Sequence, residues 1–325
     1  MASILVTGGA GFIGSHLAQA LLSRDHKITV VDNLDNYYPS AIKQRNLDII
    51  RAIGNFTFVP VDAGDYKNIR RLVKKQNIEI IFHESARPGI RQSLIDPLIS
   101  YQQNIAVTLH LLQVAVDCDI DLFVNASSSS VYGEPTALPL EESQPTRPVS
   151  PYGISKQTAE LYTRCFYDIY SLPTVSLRYF TVYGPYMRPD LAIFVFTRCL
   201  LEGHQPVVYG NGEQKRDFTY IDDVITANLA VLDHPPLGEA LNIGYGDHIS
   251  INNLLAMLSE ITETSIKPFY QDRIQGDVTH TWASVDKAKR LLGWCPTVDL
   301  ADGLVRFVDW YRLEQNFYAR HLAGW

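Results

Sequence analysis

Apolar runs of strand length recur through the first 180 residues of this 325-residue chain, and stretches with helical periodicity separate them. The runs lie at residues 4–7, 28–31, 56–61, 78–83, 121–126 and 174–179. Strands that alternate with helices predict a parallel sheet with helices on both faces. Ligands of such sheets bind at the carboxyl ends of the strands, so we expect the functional side chains there.

A glycine-rich turn follows the first predicted strand. Gly8, Gly11 and Gly14 stand between the apolar run 4–7 and a helical pattern that begins near Ser15. Gly8 allows a tight turn, Gly11 lets backbone N–H groups approach a pyrophosphate, and Gly14 lets the helix pack closely on the strand. The spacing predicts a dinucleotide-binding site, although such glycines also occur in ordinary turns.

Asp32 ends the second predicted strand, where a carboxylate can accept hydrogen bonds from both ribose hydroxyls of the adenosine. It would repel a 2′-phosphate, so NAD is favoured over NADP. The alternative is a capping aspartate in the turn 32–34. Asp62, after the third apolar run, could reach the adenine edge or serve only as a turn residue.

Turn-forming residues break the pattern after about residue 180, at Gly184-Pro185, Arg188-Pro189-Asp190, Gly210-Asn211-Gly212 and Pro235-Pro236. We therefore predict a doubly wound α/β Rossmann domain over residues 1–180, with a return to the sheet over about 211–245. Residues 181–210 and 246–325 are predicted to form a smaller, interleaved α/β domain that binds the substrate.

Composition narrows the classes of function. The net charge of −7 argues against nucleic acid as a partner. Cys118, Cys165, Cys199 and Cys295 show neither paired nor metal-ligand spacing, which predicts free thiols, no metal and a reducing compartment. Since no apolar run is long enough to span a membrane and the first strand starts at the N-terminus, we expect a soluble cytoplasmic protein without a membrane partner.

Two polar motifs follow predicted strands and can carry chemistry. Tyr152 and Lys156 open a helix one turn apart. Because a nearby cation lowers the pKa of a phenol, the tyrosine could act as base for an alcohol and as acid in reverse. The hydroxyls of residues 127–130 can bind that alcohol or its ketone. The alternatives are a solvated Tyr-Lys pair and a serine-rich loop. Both are disfavoured because serine, tyrosine and lysine follow a dinucleotide site in that order.

With these motifs the chain resembles the extended short-chain dehydrogenase/reductase family over nearly its whole length, and within it the nucleotide-sugar epimerases. The resemblance implies Ser128, Tyr152 and Lys156 as catalytic residues. It implies NAD as the cofactor, bound by Gly8, Gly11, Phe12, Ile13, Gly14, Asp32, Asn33, Asp62, Ala63, Asn104, Tyr152, Lys156 and Tyr179.

The same resemblance implies a UDP-sugar as substrate. We expect Arg216 at the pyrophosphate, Tyr209 against uracil and Asp277 at the ribose, although Arg216 could instead pair with Asp222 or Asp223. Arg273 lies one residue away from the spacing seen in some relatives, so it is not included among the expected nucleotide contacts. The full expected set is Arg91, Ser128, Ser129, Ser130, Tyr152, Phe180, Thr181, Arg188, Ala192, Ile193, Phe194, Tyr209, Arg216 and Asp277.

The implied reaction is epimerisation at C4 of the sugar. Tyr152 takes the 4-hydroxyl proton, hydride passes from C4 to NAD, the 4-keto sugar turns over, and hydride returns to its other face. Related dehydratases and decarboxylases place an acidic residue in the cluster that here reads Ser128-Ser129-Ser130, so its absence favours epimerisation. UDP-glucuronate decarboxylation, dehydrogenation with free NAD(H), and a non-catalytic NAD-binding regulatory module remain alternatives.

The stretch after the sixth strand carries the substrate prediction. Thr181 stands where UDP-glucose 4-epimerases typically have Asn, and Gly184-Pro185 before Arg188-Pro189-Asp190 resembles the UDP-glucuronate 4-epimerases. A carboxylate at C6 calls for a guanidinium and hydroxyls. We expect Arg188, Thr181 and the serines to bind it and to keep it out of alignment for loss of CO2. Arg188 could instead pair with Asp190, and UDP-glucose is the alternative substrate.

Two further features depart from or extend the resemblance. Glu84-Ser85 replaces the Leu-Ala that relatives commonly show after the histidine of the fourth strand. Glu84 could pair with Arg87 or perturb the cofactor site, while His83 is expected to be packed.

Helical stretches at 101–118 and 150–171 match those that form the dimer interface of relatives, which predicts a homodimer, although both would also suit helices that cover the sheet.

Overall fold

The computed structural model describes residues 1–323, and its first six strands lie within or overlap the predicted apolar runs. The strands are β1 (Ser3–Thr7), β2 (Lys27–Val31), β3 (Thr57–Val59), β4 (Ile80–His83), β5 (Leu122–Ser128), β6 (Thr174–Tyr179), β7 (Thr181–Tyr183), β8 (Val207–Tyr209), β9 (Lys215–Arg216), β10 (Phe218–Tyr220), β11 (Glu239–Ile243), β12 (Ile249–Ser250) and β13 (Phe269–Gln271).

The helices separate these strands. They are α1 (Phe12–Leu22), α2 (Ser40–Ile53), α3 (Tyr66–Gln76), α4 (Ile90–Ile95), α5 (Pro97–Ser100), a π-helical turn (Tyr101–Ala106), α6 (Val107–Asp117), a 3₁₀ turn (Ser129–Val131), α7 (Pro151–Tyr170), α8 (Ala192–Glu202), α9 (Ile221–Asp233), α10 (Ile251–Ile261), α11 (Asp286–Leu292) and α12 (Leu300–His321).

Seven strands form one parallel sheet in the order β11-β6-β5-β4-β1-β2-β3. The chain order reverses between β1 and β4, which is the switch point where parallel sheets open a crevice for ligands. The predicted doubly wound α/β sheet is confirmed.

The two faces of the sheet have separate cores, because side chains alternate along a strand. Ile4 and Val6 of β1 pack in a cluster with residues of α1 and α9, whereas Leu5 packs in a second cluster with residues of α3 and α6. Helices therefore cover both faces, as the alternation of elements predicts. Among residues 1–323, no helix has the length and apolar character to cross a membrane.

The second half of the chain adds small two-stranded pairings outside the main sheet. β7 pairs with β10, β8 with β13, and β9 with β12. β11, from the segment in which we expect a return to the sheet, lies beside β6. The exact division into two domains stays a prediction.

Candidate active site

One cleft opens at the carboxyl ends of the strands on either side of the switch point, with a cavity volume of about 370 Å³. Many of the residues expected in the site line it. These are Gly8, Gly11, Phe12, Ile13, Gly14, Asp32, Asn33, Asp62, Ala63, Ser128, Ser129, Ser130, Tyr152, Lys156, Tyr179, Phe180, Thr181 and Arg188.

The glycine turn has the shape that a bound pyrophosphate needs. Gly8 has φ +67°, a conformation that side chains disfavour. A Cβ on Gly14 would lie 2.9 Å from the Cα of Gly9 and still closer to the carbonyl oxygen of Gly8. α1 begins after Gly11 without a side-chain cap, so its first N–H groups are available to an anion.

The ribose end of the cleft carries a buried carboxylate. Asp32 accepts hydrogen bonds from the backbone N–H of Ala10 (3.2 Å) and of Leu34 (2.8 Å). Burial raises its pKa, and the ammonium of Lys43, 3.9 Å away, opposes that rise. Asp62 accepts from Asn33 Nδ2 at 3.0 Å. Together with the glycine turn, these groups fit a dinucleotide with a free adenosine ribose.

The helix that carries the Tyr-x3-Lys motif starts as its sequence predicts. The Ser150 hydroxyl caps α7 by accepting a hydrogen bond from Gly153 N at 3.1 Å, with proline in the next position. Tyr152 and Lys156 consequently lie in the first turns of α7 and both line the cleft.

The surroundings of Tyr152 act on the pKa of its phenol in opposite directions. Burial raises the pKa of Tyr152, while a hydrogen bond with Ser128 and the charge of Arg188 lower it. The ammonium of Lys156 is directed to the Ala126 carbonyl of β5, at 2.6 Å. The charge of Arg188 thus favours the phenolate, but burial outweighs it and the pKa of Tyr152 is raised overall.

Lys156 itself is strongly affected by its surroundings. Burial lowers its pKa to about 8, against the opposing charges of Glu84 and Glu160. Such a perturbed group in a cleft is typical of a functional site.

A buried ion pair supports the strand end that carries the serines. Arg178 of β6 donates from Nε (2.9 Å) and Nη2 (2.8 Å) to the two carboxylate oxygens of Glu160 on α7. Glu160 also accepts a hydrogen bond from the Ser127 hydroxyl, and Arg178 Nη1 donates to Tyr132 at 2.8 Å. This network connects β5, β6 and α7 directly beneath the candidate catalytic groups.

Arg188 forms the ion pair with Asp190 that one interpretation of its sequence predicts. Its Nε and Nη2 donate to the two oxygens of Asp190, at 2.9 and 3.0 Å, as expected of a turn arginine. It also lines the cleft beside Tyr152.

Glu84 does not pair with Arg87, which was one alternative. Arg87 instead forms an ion pair with Asp35, at 2.9 Å. Glu84 Oε1 accepts a hydrogen bond from the Tyr179 hydroxyl at 3.0 Å, and burial raises the pKa of Glu84 to about 7. Its carboxyl therefore lies in the cleft without a direct ion pair among residues 1–323.

His83 is packed, as expected. Its two ring nitrogens lie 2.9 Å from the hydroxyls of Thr7 and Thr108. Burial and the charge of Lys156 lower the pKa of His83 to about 3, so it stays neutral.

The residues expected at the nucleotide are grouped outside the cleft lining. Arg91 Nη1 donates to the Tyr209 hydroxyl at 3.1 Å. Arg216 pairs with Asp277 at 2.7 Å, and not with either aspartate of α9. Arg273 Nη2 donates to the Asp277 carbonyl at 2.6 Å. The structure thus brings the arginine and the aspartate expected at the nucleotide together.

Asn104 is placed differently from the other residues expected at the cofactor. Asn104 is buried, and its amide bonds the Arg87 backbone and the Ser155 hydroxyl rather than lining the cleft. Ile193 and Phe194 are core residues, so only their backbone could meet a ligand.

A group of cleft residues that the sequence did not predict lies in and after the turn that follows β2. These are Asp35, Tyr37, Tyr38 and Lys43. The sequence signal is the aromatic pair Tyr37-Tyr38 after the Asp32 turn, followed by Lys43; the burial of Lys43 is visible only in the structure.

Comparisons with known proteins identify the family of the chain. The model of the NAD dependent epimerase/dehydratase family matches residues 4–244. A UDP-glucuronate 4-epimerase of Thermodesulfobacterium geofontis is 37% identical over 312 residues, which cover 95% of this chain and 96% of that protein.

Two solved structures are similar along their whole length. UDP-glucuronic acid 4-epimerase from Bacillus cereus, in complex with UDP-glucuronic acid and NAD, has a TM-score of 0.91 and 36% identity, with 96% of this chain and 99% of that chain covered. UDP-glucose 4-epimerase from Thermotoga maritima, with UDP-glucose, has a TM-score of 0.90 and 34% identity over the same shares of the two chains.

Proposed function

We propose that this chain, which belongs to the NAD dependent epimerase/dehydratase family, is a UDP-sugar 4-epimerase that interconverts UDP-glucuronate and UDP-galacturonate. The observation that carries the proposal is the meeting of Tyr152, Ser128 and Arg188 in the cleft that holds the glycine turn. The relatives named above act on UDP-glucuronate or bind UDP-glucose.

Bound NAD supplies reversible oxidation at C4 of the sugar. Tyr152 removes the proton of the 4-hydroxyl at its phenolic oxygen and returns it on the way back. Ser128, which lines the cleft with Tyr152, orients the alcohol. Burial raises the pKa of that phenol, and the charge of Arg188 opposes the rise.

The cleft also supports epimerisation over loss of CO2. The cluster Ser128–Ser130 contributes hydroxyls and no acid. Glu84, the acidic side chain that the fourth strand brings to the cleft, is hydrogen-bonded to Tyr179. Arg188 and Thr181 line the same cleft and offer a guanidinium and a hydroxyl to a C6 carboxylate.

The test is to incubate the purified protein with UDP-glucuronate, without added NAD, and to follow the sugars by NMR. We expect UDP-galacturonate without net NADH. UDP-pentose with CO2 would instead establish a decarboxylase, and accumulating NADH a dehydrogenase. Turnover of UDP-glucose but not of UDP-glucuronate would refute the substrate assignment, and no turnover of either would favour a non-catalytic module.

We further propose that two copies associate through α7. Ile154, Leu161 and Ile169 are exposed large apolar residues of this helix and lie on one face. Of the helix predicted at 101–118, only Tyr101 is among the exposed large apolar residues, because the others pack on the sheet. Exposed apolar side chains of α4 and α5 extend the face instead: Leu94, Ile95 and Leu98. A second copy that presents the same face would cover it.

Light scattering of the purified protein tests the dimer. Leu161→Glu should shift the mass to that of a monomer, whereas Leu313→Glu, at an exposed position on α12, should not. A wild-type monomer would contradict the proposal.

All four cysteines are free, which supports a reducing compartment such as the cytoplasm.

A further inference from the structure

One edge of the Arg188 guanidinium is hydrogen-bonded to Asp190, and a second edge can bind another carboxylate. Its side-chain hydrogen bonds within residues 1–323 run from Nε and Nη2 to the two oxygens of Asp190. A guanidinium carries five N–H donors in a planar fork. The edge formed by Nη1 and the second hydrogen of Nη2 therefore keeps the geometry that binds a second carboxylate in bidentate fashion.

Arg188 lines the same cleft as Tyr152, whose phenol would meet the 4-hydroxyl of the sugar. It lines the cleft with Thr181, and its charge reaches Tyr152. In a sugar whose 4-hydroxyl meets Tyr152, the C6 carboxylate is separated from C4 by one ring carbon. How Arg188 is held in place consequently decides whether its open edge can meet that carboxylate.

Tyr37, in the loop that follows β2, hydrogen-bonds Asp190, which is the ion-pair partner of Arg188. The Tyr37 hydroxyl donates to Asp190 Oδ2 at 3.0 Å. The Arg188 guanidinium lies 5.8 Å from the centre of the Tyr37 ring, and that of Arg87 lies 4.9 Å from it, both within the range of cation–π attraction. Burial and the charge of Asp190 raise the pKa of Tyr37 to about 12, so the hydroxyl stays a donor at neutral pH.

The segment that carries Tyr37 is in turn fixed beside the ribose end of the cleft. Tyr37 N donates to Asp35 Oδ1 at 3.2 Å, and Asp35 pairs with Lys43 (2.7 Å) and Arg87 (2.9 Å). Lys43 also lies 3.9 Å from Asp32. Tyr37 therefore connects the loop that follows β2 with the Arg188 turn.

We infer that Tyr37 and Asp190 are positioning residues that hold Arg188 for substrates with a carboxylate at C6. The inference rests on the proposed function and deepens it, because it assigns the preference for acidic over neutral UDP-sugars to residues outside the Tyr-Ser-Lys motif. Neither residue needs to contact the substrate. Tyr37 restrains Asp190, and Asp190 restrains the guanidinium.

Tyr37→Phe removes the hydrogen bond to Asp190 and keeps the ring that both guanidinium groups contact. We expect KM for UDP-glucuronate to rise roughly tenfold, the equivalent of about 1.4 kcal/mol, with little change in kcat. The matched control is Tyr245→Phe, which removes a tyrosine-to-aspartate hydrogen bond at Asp299. The control should leave both constants unchanged.

Binding without turnover separates this inference from the proposed function. In a Tyr152→Phe background loaded with NAD, calorimetry should show that UDP-glucuronate binds more tightly than UDP-glucose. Adding Tyr37→Phe, or Asp190→Asn as a second variant, should weaken UDP-glucuronate roughly tenfold and UDP-glucose by less than about twofold.

The outcomes are distinct. If the Tyr152→Phe protein shows no preference for UDP-glucuronate, the proposed substrate is wrong. If it shows the preference but Tyr37→Phe leaves it unchanged, or weakens both sugars equally, the positioning role is overturned and the proposed function stands.

Discussion

Replacing Glu84 by Gln should make the stability of the protein less dependent on pH. Burial raises the pKa of Glu84 to about 7 from an ordinary value of 4.5. Gln keeps the size of the side chain and can still accept the hydrogen bond from Tyr179. The substitution therefore removes the ionisable carboxyl and little else.

The sign follows from which state binds the proton more tightly. A folded-state pKa above the unfolded value means that the folded state holds the proton between about pH 4.5 and 7, so stability falls as the pH rises through this window. From pH 5 to 8, two pKa values of 4.5 and 7 correspond to a loss of about 2.5 kcal/mol from this one group. Glu84 keeps some exposed surface, which makes that figure an upper value.

The assay is urea unfolding at pH 5 and pH 8, with the same saturating NAD concentration throughout. On going from pH 5 to pH 8, the free energy of unfolding of Glu84→Gln should rise by up to about 2.5 kcal/mol relative to that of the wild type. Glu260→Gln, an exposed glutamate on α10, is the matched control and should parallel the wild type. A Glu84→Gln protein whose stability follows the same pH dependence as the control would refute the reasoning.

Three further substitutions test other parts of the site. Tyr152→Phe should lower kcat by about 10²–10⁴ while the NAD content of the purified protein stays unchanged; equal loss of NAD would point to a cofactor-binding role instead. Gly14→Ala places a Cβ against the backbone of Gly8 and should weaken NAD binding by roughly tenfold or more, measured by titration, with an unchanged circular dichroism spectrum. Glu160→Gln leaves the Arg178 guanidinium buried without its counter-charge and should cost about 3–5 kcal/mol in urea unfolding; an unchanged midpoint would contradict this.

The fold could be predicted from the sequence because its signals are local. Strand-length apolar runs that alternate with helical stretches determine a parallel sheet, and Gly8 with φ +67° sits where the spacing predicts a tight turn. The start of α7 is equally local, since Ser150 and Pro151 are the cap and first residue that favour a helix N-terminus.

The charged contacts around the cleft could not be predicted in the same way. Arg87 has several acidic residues within plausible reach along the chain, and periodicity does not select among them. The structure pairs it with Asp35, and it pairs Arg216 with Asp277 rather than with the aspartates of α9. Each choice depends on how loops distant in sequence approach one another, which only the assembled fold determines.

The charges that act on the pKa of Tyr152 could not all be predicted from the motif. A Tyr-x3-Lys spacing places two side chains on one helix face, and from this alone Lys156 is the expected source of positive charge. In the structure the Lys156 ammonium is held by the Ala126 carbonyl, and the charge that lowers the pKa of Tyr152 comes from Arg188. Since Arg188 is also the group suited to a C6 carboxylate, the same side chain bears on recognition of the substrate and on the pKa of Tyr152. A substitution at Arg188 would therefore alter both, whereas Tyr37 and Asp190 allow its position to be changed while its charge is kept.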